Sequence, residues 1–167
     1  MNKYFILGLC YSCGSIKPSK IPKFELITKK KEFADFVNMQ LNLVLGNSKK
    51  YFKNGFYIVE CKNSYFSIDK DKLPNLDTSE RRRYFLAGYF EGKSSVSVKY
   101  KIIKLSGKYE LLEQIKKLLE LEGVNSKIYK NQKYFSLYIE GKTRCKLFKE
   151  KIDYISDKKK KLDRIVW

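Results

Sequence analysis

Histidine is absent from this chain, and its acids are outnumbered two to one: 18 Asp and Glu stand against 36 Lys and Arg, for a net charge of +18. A zinc centre wants about four ligands. Cys10 and Cys13 have Cys-x-x-Cys spacing, but Cys61 and Cys145 offer no second pair, so no metal site is expected from the cysteines. No apolar run approaches the roughly 18 residues of a membrane span, and no membrane partner is expected. The apolar stretch from Met1 to Cys10 is short for a leader and belongs to a repeat described below, which argues against a signal peptide. Unpaired cysteines in a basic chain without a leader fit a reducing, intracellular setting, cytoplasmic or nucleoid-associated. The deficit of acids exceeds what solubility needs and points to a polyanionic partner. Against these absences stand 43% hydrophobic and 15% aromatic residues over 167 positions, enough for a real core.

The chain is organised around Phe85-Leu-Ala-Gly-Tyr-Phe-Glu-Gly-Lys-Ser-Ser-Val96. Up to Glu91 it reads as a helix with small residues at Ala87, Gly88 and Gly92. Glycine inside a helix costs about 1 kcal/mol relative to alanine. Close approach of a second helix backbone is the reason to accept that cost. After Lys93 the period changes to two, with Ser95, Ser97, Lys99 and Lys101 alternating with Val96, Val98, Tyr100 and Ile102. That is the pattern of a half-buried strand.

A second copy stands near the N-terminus, Phe5-Ile-Leu-Gly-Leu-Cys-Tyr-Ser-Cys-Gly-Ser-Ile16. Gly8 falls on Gly88, Ser12 on Gly92 and Ser15 on Ser95, each at an offset of 80. Gly46-Asn47-Ser48-Lys49 resembles Gly123-Val124-Asn125-Ser126-Lys127, and Val59-Glu60-Cys61-Lys62 resembles Ile139-Glu140-Gly141-Lys142. The order of these landmarks indicates an internal duplication of about 80 residues. The expected division is 1–76, 77–156 and a basic C-terminal tail, 157–167, whose lysines read as a solvated end.

Within the first half the reading is a helix to about Tyr11 capped by Asn2, a strand from Gly14, and a strand from Lys23 to Thr28. A helix from Lys30 to Leu45 follows, then a hairpin turning at Asn54-Gly55. Ser64 to Leu73 reads as a short helix, and Asp77 with Glu80 as a capping box for the central helix. The second half repeats the order: strands over 94–105, a helix from Tyr109 to Leu121, a hairpin over 126–140 and a helix from Lys142 to Ile155. The fold class is α+β, two pseudo-symmetric αββαββα repeats. Helices cover one face of the strands and leave the other open, with the halves joined into one long saddle-shaped sheet.

Leu86-Ala87-Gly88, the weaker Leu7-Gly8 and the Ile139-Glu140-Gly141-Lys142 junction resemble the LAGLIDADG homing endonucleases in their single-chain, double-motif form. The resemblance covers nearly the whole chain. It implies two motif helices paired at the centre through Gly8, Ser12, Ala87, Gly88 and Gly92. It also implies a saddle of strands lying along the DNA major groove, whose edge pattern separates all four base pairs. In active members of that family the residue before the last motif glycine is an acid that holds divalent metal. Here those positions are Cys13 and Lys93. A thiol suits hard Mg²⁺ poorly, and an ammonium about 4 Å away would repel even a unit positive charge by about 4 kcal/mol at an effective dielectric of 20. The expectation is therefore a sequence-selective, non-cleaving binder of double-stranded DNA, monomeric, with no catalytic residue and no cofactor.

Glu91 occupies the motif's earlier acidic position and is the one residue that an alternative reading, an active or nicking Mg²⁺-dependent nuclease, would use. A further alternative is an RNA-binding, maturase-type splicing cofactor. The candidate DNA contacts are Lys17, Lys20, Lys23, Lys49, Tyr51, Lys53, Lys62, Lys93, Ser97, Lys99, Lys101, Lys127, Tyr129, Lys130, Lys133, Tyr134, Tyr138 and Lys142. Glu60 and Glu140 are expected to restrain Lys62 and Lys142 rather than to bind metal. The three arginines 81–83 start the central helix and are left outside the DNA site.

Overall fold

The structure is a computed structural model and describes residues 2–68, 72–131 and 134–167. Helix α1 (Lys3–Ser12) is capped by the Asn2 side chain, which accepts from the Tyr4 N–H at 2.9 Å. It leads into β1 (Ser15–Lys17) and β2 (Lys23–Thr28), and α2 (Lys31–Leu45) follows. The Asn54-Gly55 turn, with both residues at positive φ, joins β3 (Ser48–Lys53) to β4 (Phe56–Lys62), as an Asn-Gly hairpin requires. The second half contains α3 (Ser79–Lys93), β5 (Ser95–Ser97), β6 (Ile102–Gly107), α4 (Tyr109–Leu121), β7 (Lys127–Asn131), β8 (Tyr134–Glu140), α5 (Lys142–Lys151) and α6 (Lys158–Val166). The strands form two separate antiparallel sheets of the same order, β1-β2-β4-β3 and β5-β6-β8-β7.

The halves meet along α1 and α3. A Cβ on Gly8 would stand 2.1 Å from the Phe85 carbonyl oxygen, and one on Gly88 would stand 2.0 Å from that of Phe5. Only glycine permits this backbone-to-backbone approach, which is the return for its poor helix propensity. At Gly92 the neighbour is the Ser12 hydroxyl. Ser12 Oγ also donates to the carbonyl oxygens of Leu9, at 3.1 Å, and Gly88, at 3.5 Å.

Each helix contributes to both cores. Phe5, Ile6, Leu9 and Cys10 of α1 join Phe24, Leu26, Val37, Leu41, Val59 and Phe66 under the first sheet, together with Ala87 of α3. Leu7 and Tyr11 of α1 cross into the second core with Phe85, Leu86, Tyr89, Phe90, Ile103, Leu137 and Phe148. At about 1.5–3 kcal/mol for each fully buried large apolar side chain, this shared burial stabilises the two halves as one unit.

Several sequence expectations are corrected. The sheet is not one long sheet but two. The strand read from Ser95 to Ile102 stops at Ser97: its ladder with β6 ends at the Ser97–Ile102 pair, and Val98 to Lys101 turn, with Lys101 at φ +53°. Alternation alone did not reveal where the partner strand ends. The helix expected over Ser64–Leu73 is a single 3-10 turn at Ser64–Phe66; residues 69–71 of that span lie outside the described residues. The cap of α3 is Thr78, whose side chain accepts from Arg81 N–H, while Asp77 pairs with the Arg81 side chain at 2.7 Å. The helix read from Lys142 to Ile155, α5, ends at Lys151. The tail is a docked helix: α6 buries Leu162 and Ile165 in the second core, while Lys159, Lys160 and Lys161 stay exposed. A basic run hid an apolar spacing of three.

Candidate nucleic-acid interface

The inward residues of each strand fix which side chains stand on the open face. In the first sheet Phe24, Leu26, Val59 and Cys61 face the core. Their alternates and cross-strand partners therefore share the open face: Lys17, Lys23, Glu25, Ile27, Lys49, Tyr51, Lys53, Ile58, Glu60 and Lys62. Six expected contacts, Lys17, Lys23, Lys49, Tyr51, Lys53 and Lys62, are brought together here, and Lys20 lies in the β1–β2 loop at its rim.

This face carries an ion network. Lys23 Nζ lies 2.7 Å from Glu60 and 3.4 Å from Glu25, and Lys17 Nζ lies 2.5 Å from Glu25. The hydrogen bond from Lys23 holds the Glu60 carboxyl below its ordinary range, and the same bond raises Lys23. Glu60 was expected to restrain Lys62; it restrains Lys23, its neighbour across β2 and β4.

In the second sheet Ile103, Leu105, Leu137 and Ile139 face inward. Ser95, Ser97, Ile102, Lys104, Ser106, Lys127, Tyr129, Tyr134, Ser136, Tyr138 and Glu140 share the open face. Ser97, Lys127, Tyr129, Tyr134 and Tyr138 stand where the sequence put them. Lys130 does not: it pairs with Phe135 on the helix side of β7. Lys99 and Lys101 belong to the β5–β6 turn. Lys142 opens α5, and its ammonium donates to the Trp167 main-chain oxygen at 2.6 Å, so it is held away from the strands. Lys133 lies outside the described residues. The sequence reading missed Lys104, whose ammonium sits 5.6 Å from the Tyr138 ring centroid. Its position between inward Ile103 and Leu105 was the available signal, masked because the sequence did not place the turn between β5 and β6. The open face is richer in hydroxyls than the first, with Ser106 and Ser136 hydrogen-bonded across the strands at 3.0 Å.

Cys13 and Lys93 stand at the ends of α1 and α3. Cys13 packs against Gly92, and its thiol donates to the Leu9 carbonyl at 3.1 Å. Lys93 is exposed, and its ammonium reaches toward Gly107. Glu91, 1% exposed, is engaged by the segment that follows α5. Its carboxylate accepts from the N–H groups of Ile155 and Ser156 and from the Ser156 hydroxyl. Lys158 donates to the Phe90 carbonyl at 3.1 Å and to that of Glu91, closing the end of α3. The counterpart of Glu91 in the first half, Tyr11, donates to the Lys72 carbonyl at 2.6 Å. In both halves this motif position ties down the segment that leaves the half.

The two divalent metals implied by the family do not fit these residues. A thiol, an ammonium and a carboxylate whose two oxygens are both engaged supply no open oxygen set for a hard cation. Among the described residues no three His, Cys, Asp or Glu side chains gather as ligands. The cysteines form no disulfide, and burial pushes the Cys61 and Cys145 thiols up to about 11. Among the described residues no helix is long and apolar enough to cross a membrane.

Residues 80–153 match the family model of the LAGLIDADG-like domain. The chain is similar in fold to full-length DUF199/WhiA from Thermatoga maritima, with a TM-score of 0.70 and 18% identity over 98% of this chain and 58% of that one; it thus spans little more than half of that protein. The N-terminal LAGLIDADG domain of DUF199/WhiA gives a TM-score of 0.68 at 16% identity, covering 99% of this chain and 89% of the other. I-DmoI, a homing endonuclease, in complex with DNA and Ca gives 0.69 at 16% identity, covering 96% and 95%. No curated protein sequence matches. Two sheets of one order, flanking a glycine-mediated helix pair, are thus the LAGLIDADG homing endonuclease-like fold, and over residues 80–153 the chain is similar to the LAGLIDADG-like domain family.

Proposed function

We propose that the protein binds double-stranded DNA sequence-selectively, laying the open faces of its two sheets along the major groove, and that it does not cleave the duplex. The observation that carries this reading is the collection of Lys17, Lys23, Lys49, Lys53 and Lys62 with Tyr51 on one open face, matched by Lys104, Lys127 and three tyrosines on the other. Antiparallel strands fit the major groove, and lysines at their edges meet phosphates. I-DmoI, of similar fold, has been crystallised with DNA, which supports the same partner here. Both halves reside in one chain, so a monomer suffices for a two-part site.

Loss of cleavage follows from chemistry at the helix ends. Water activation by two metals needs carboxylates at the positions of Cys13 and Lys93. Glu91 does not replace them, because its oxygens hold the Ile155–Ser156 segment. Lys93 in this reading contacts a central phosphate directly.

The test is incubation of the protein with random duplex libraries, with selection of bound fragments at several salt concentrations, followed by incubation of bound fragments with Mg²⁺ or Mn²⁺. The expected result is a consensus of two unequal halves, a steep salt dependence and intact strands. Clean double-strand cuts would remove the non-cleaving part of the proposal. Preference for structured RNA over duplex competitors would replace it with the maturase-type reading.

A further inference from the structure

Two carboxylates stand side by side on a face that is otherwise cationic. Glu25 and Glu60 are direct partners across β2 and β4, and Lys49 faces Glu60 from β3. Like charges in that position repel, and both acids oppose a phosphate backbone. Lys17 and Lys23 offset the repulsion between them, but orienting two lysines toward phosphates needs only one of the acids.

The two acids differ in what they have left to offer. Glu25 has one oxygen on Lys17 and the other near Lys23, and its side chain is only 10% exposed. It is the post that orients the two lysines. Glu60 is 26% exposed and holds Lys23 through one oxygen, Oε1. A carboxylate has about four acceptor positions, so Glu60 has capacity directed to the open face. Its ionised form is favoured by the Lys23 bond and by a hydrogen bond from the Tyr51 hydroxyl, which take two of those positions and leave about two.

We propose that Glu60 is a specificity-determining residue that accepts a hydrogen bond from the N4 amino group of a cytosine in the half-site covered by the first sheet, with Lys23 as its positioning partner. The inference rests on the duplex-binding reading above. Cytosine is the choice because its major-groove edge offers a donor at N4. The adenine edge sets an acceptor, N7, beside its amino group, and the guanine and thymine edges present acceptors to a carboxylate. The hydroxyl-rich second sheet has no such lysine-locked acid among its described ion pairs, so the two half-sites are read by different chemistry.

The test uses duplexes selected from random sequence by the unchanged protein and by Glu60→Gln. The unchanged protein is expected to enrich cytosine at one position in one half of its site. In Glu60→Gln that position is expected to shift to adenine, because a glutamine amide pairs with adenine N6 and N7, while the other positions hold. A second arm needs no variant and decides the matter if Glu60→Gln does not fold. N4-methylcytosine placed at that position keeps its Watson–Crick pair but replaces the major-groove N–H by a methyl group, and it is expected to weaken binding about tenfold.

A purely structural lattice predicts otherwise: an unchanged consensus for Glu60→Gln, or full affinity for the methylated duplex. Either result, like a wild-type consensus without cytosine in either half, overturns the role of Glu60 and leaves duplex binding standing. No affinity for any duplex overturns the functional reading itself, and this role with it.

Discussion

The Glu91 carboxylate accepts two hydrogen bonds from Ser156, from its main-chain N–H at 2.8 Å and from its hydroxyl at 2.6 Å. An acid that the motif places near the centre of the saddle is thereby used to fasten the α5–α6 connection. Glu91→Gln keeps the shape and removes the charge. It is expected to lower stability by about 1–3 kcal/mol, since bonds to a charged acceptor are the stronger ones. Amide exchange should quicken at Ile155 and Ser156, while DNA affinity stays unchanged. A variant of full stability with altered behaviour toward DNA would place Glu91 at the reaction centre instead.

Gly8→Ala tests the helix crossing. The added methyl meets the Phe85 carbonyl at 2.1 Å, and neither backbone can give way without unpacking a core. Substitution is expected to cost more than the roughly 1–3 kcal/mol typical of overpacking, measured by urea denaturation. Gly46→Ala makes an instructive contrast: its φ is +75° but no atom stands within 4 Å, so the loss there should reflect backbone strain alone and be smaller.

Glu122 ties the start of α3 to the end of α4, taking Arg82 and Arg83 at 2.7 Å each and the Ser79 hydroxyl at 2.6 Å. Burial pushes its carboxyl up, but the bonds from Ser79, Arg83 and Arg82 outweigh that and leave it below its ordinary value of 4.5. A depressed folded-state value means the contribution is fully present above about 4.5 and fades as pH falls through the folded value. Glu122→Gln should therefore be less stable than the parent at neutral pH, by about 1–3 kcal/mol. The difference between their urea midpoints should shrink on acidification below about pH 4.5. A difference independent of pH would show that the charge of Glu122 contributes nothing.

Leu162→Ala asks whether the C-terminal helix is part of the fold. Leu162 is fully buried in the second core. Truncation is expected to destabilise the whole protein by about 2–5 kcal/mol in one cooperative transition. A separate early transition of α6 would show that it docks independently.

Lys49→Ala and Lys53→Ala remove cations from the open face without touching either core. Each should weaken duplex binding by a similar factor for all sequences and reduce the slope of log affinity against log salt by about 1. Lys130→Ala, on the helix side of β7, should change neither. Equal effects from all three would mean that charge acts without regard to face.

The glycine spacing, the Asn-Gly hairpin and the strong period of the Tyr109–Leu121 helix are local signals, and the sequence alone determined what they specify. A close helix pair, a tight turn and an amphipathic helix each follow from a few adjacent residues. The duplication, read at an offset of 80, carried those elements into two halves of equal strand order. Basic strand faces were legible where inward residues alternate cleanly, as at Lys23 beside inward Phe24 and Leu26.

Tertiary structure decided the rest, because the rest depends on partners distant in sequence. β5 ends where its ladder with β6 ends, which put Lys99 and Lys101 in a turn and left Lys104 to be found. Leu162 and Ile165 became core only because a cavity formed from other segments was there to receive them, so the lysines around them masked the helix. The roles of Glu60 and Glu91 were likewise set across 37 and 65 residues, by Lys23 and Ser156. A carboxylate's function is fixed by the donors that reach it, and the chain order does not name them.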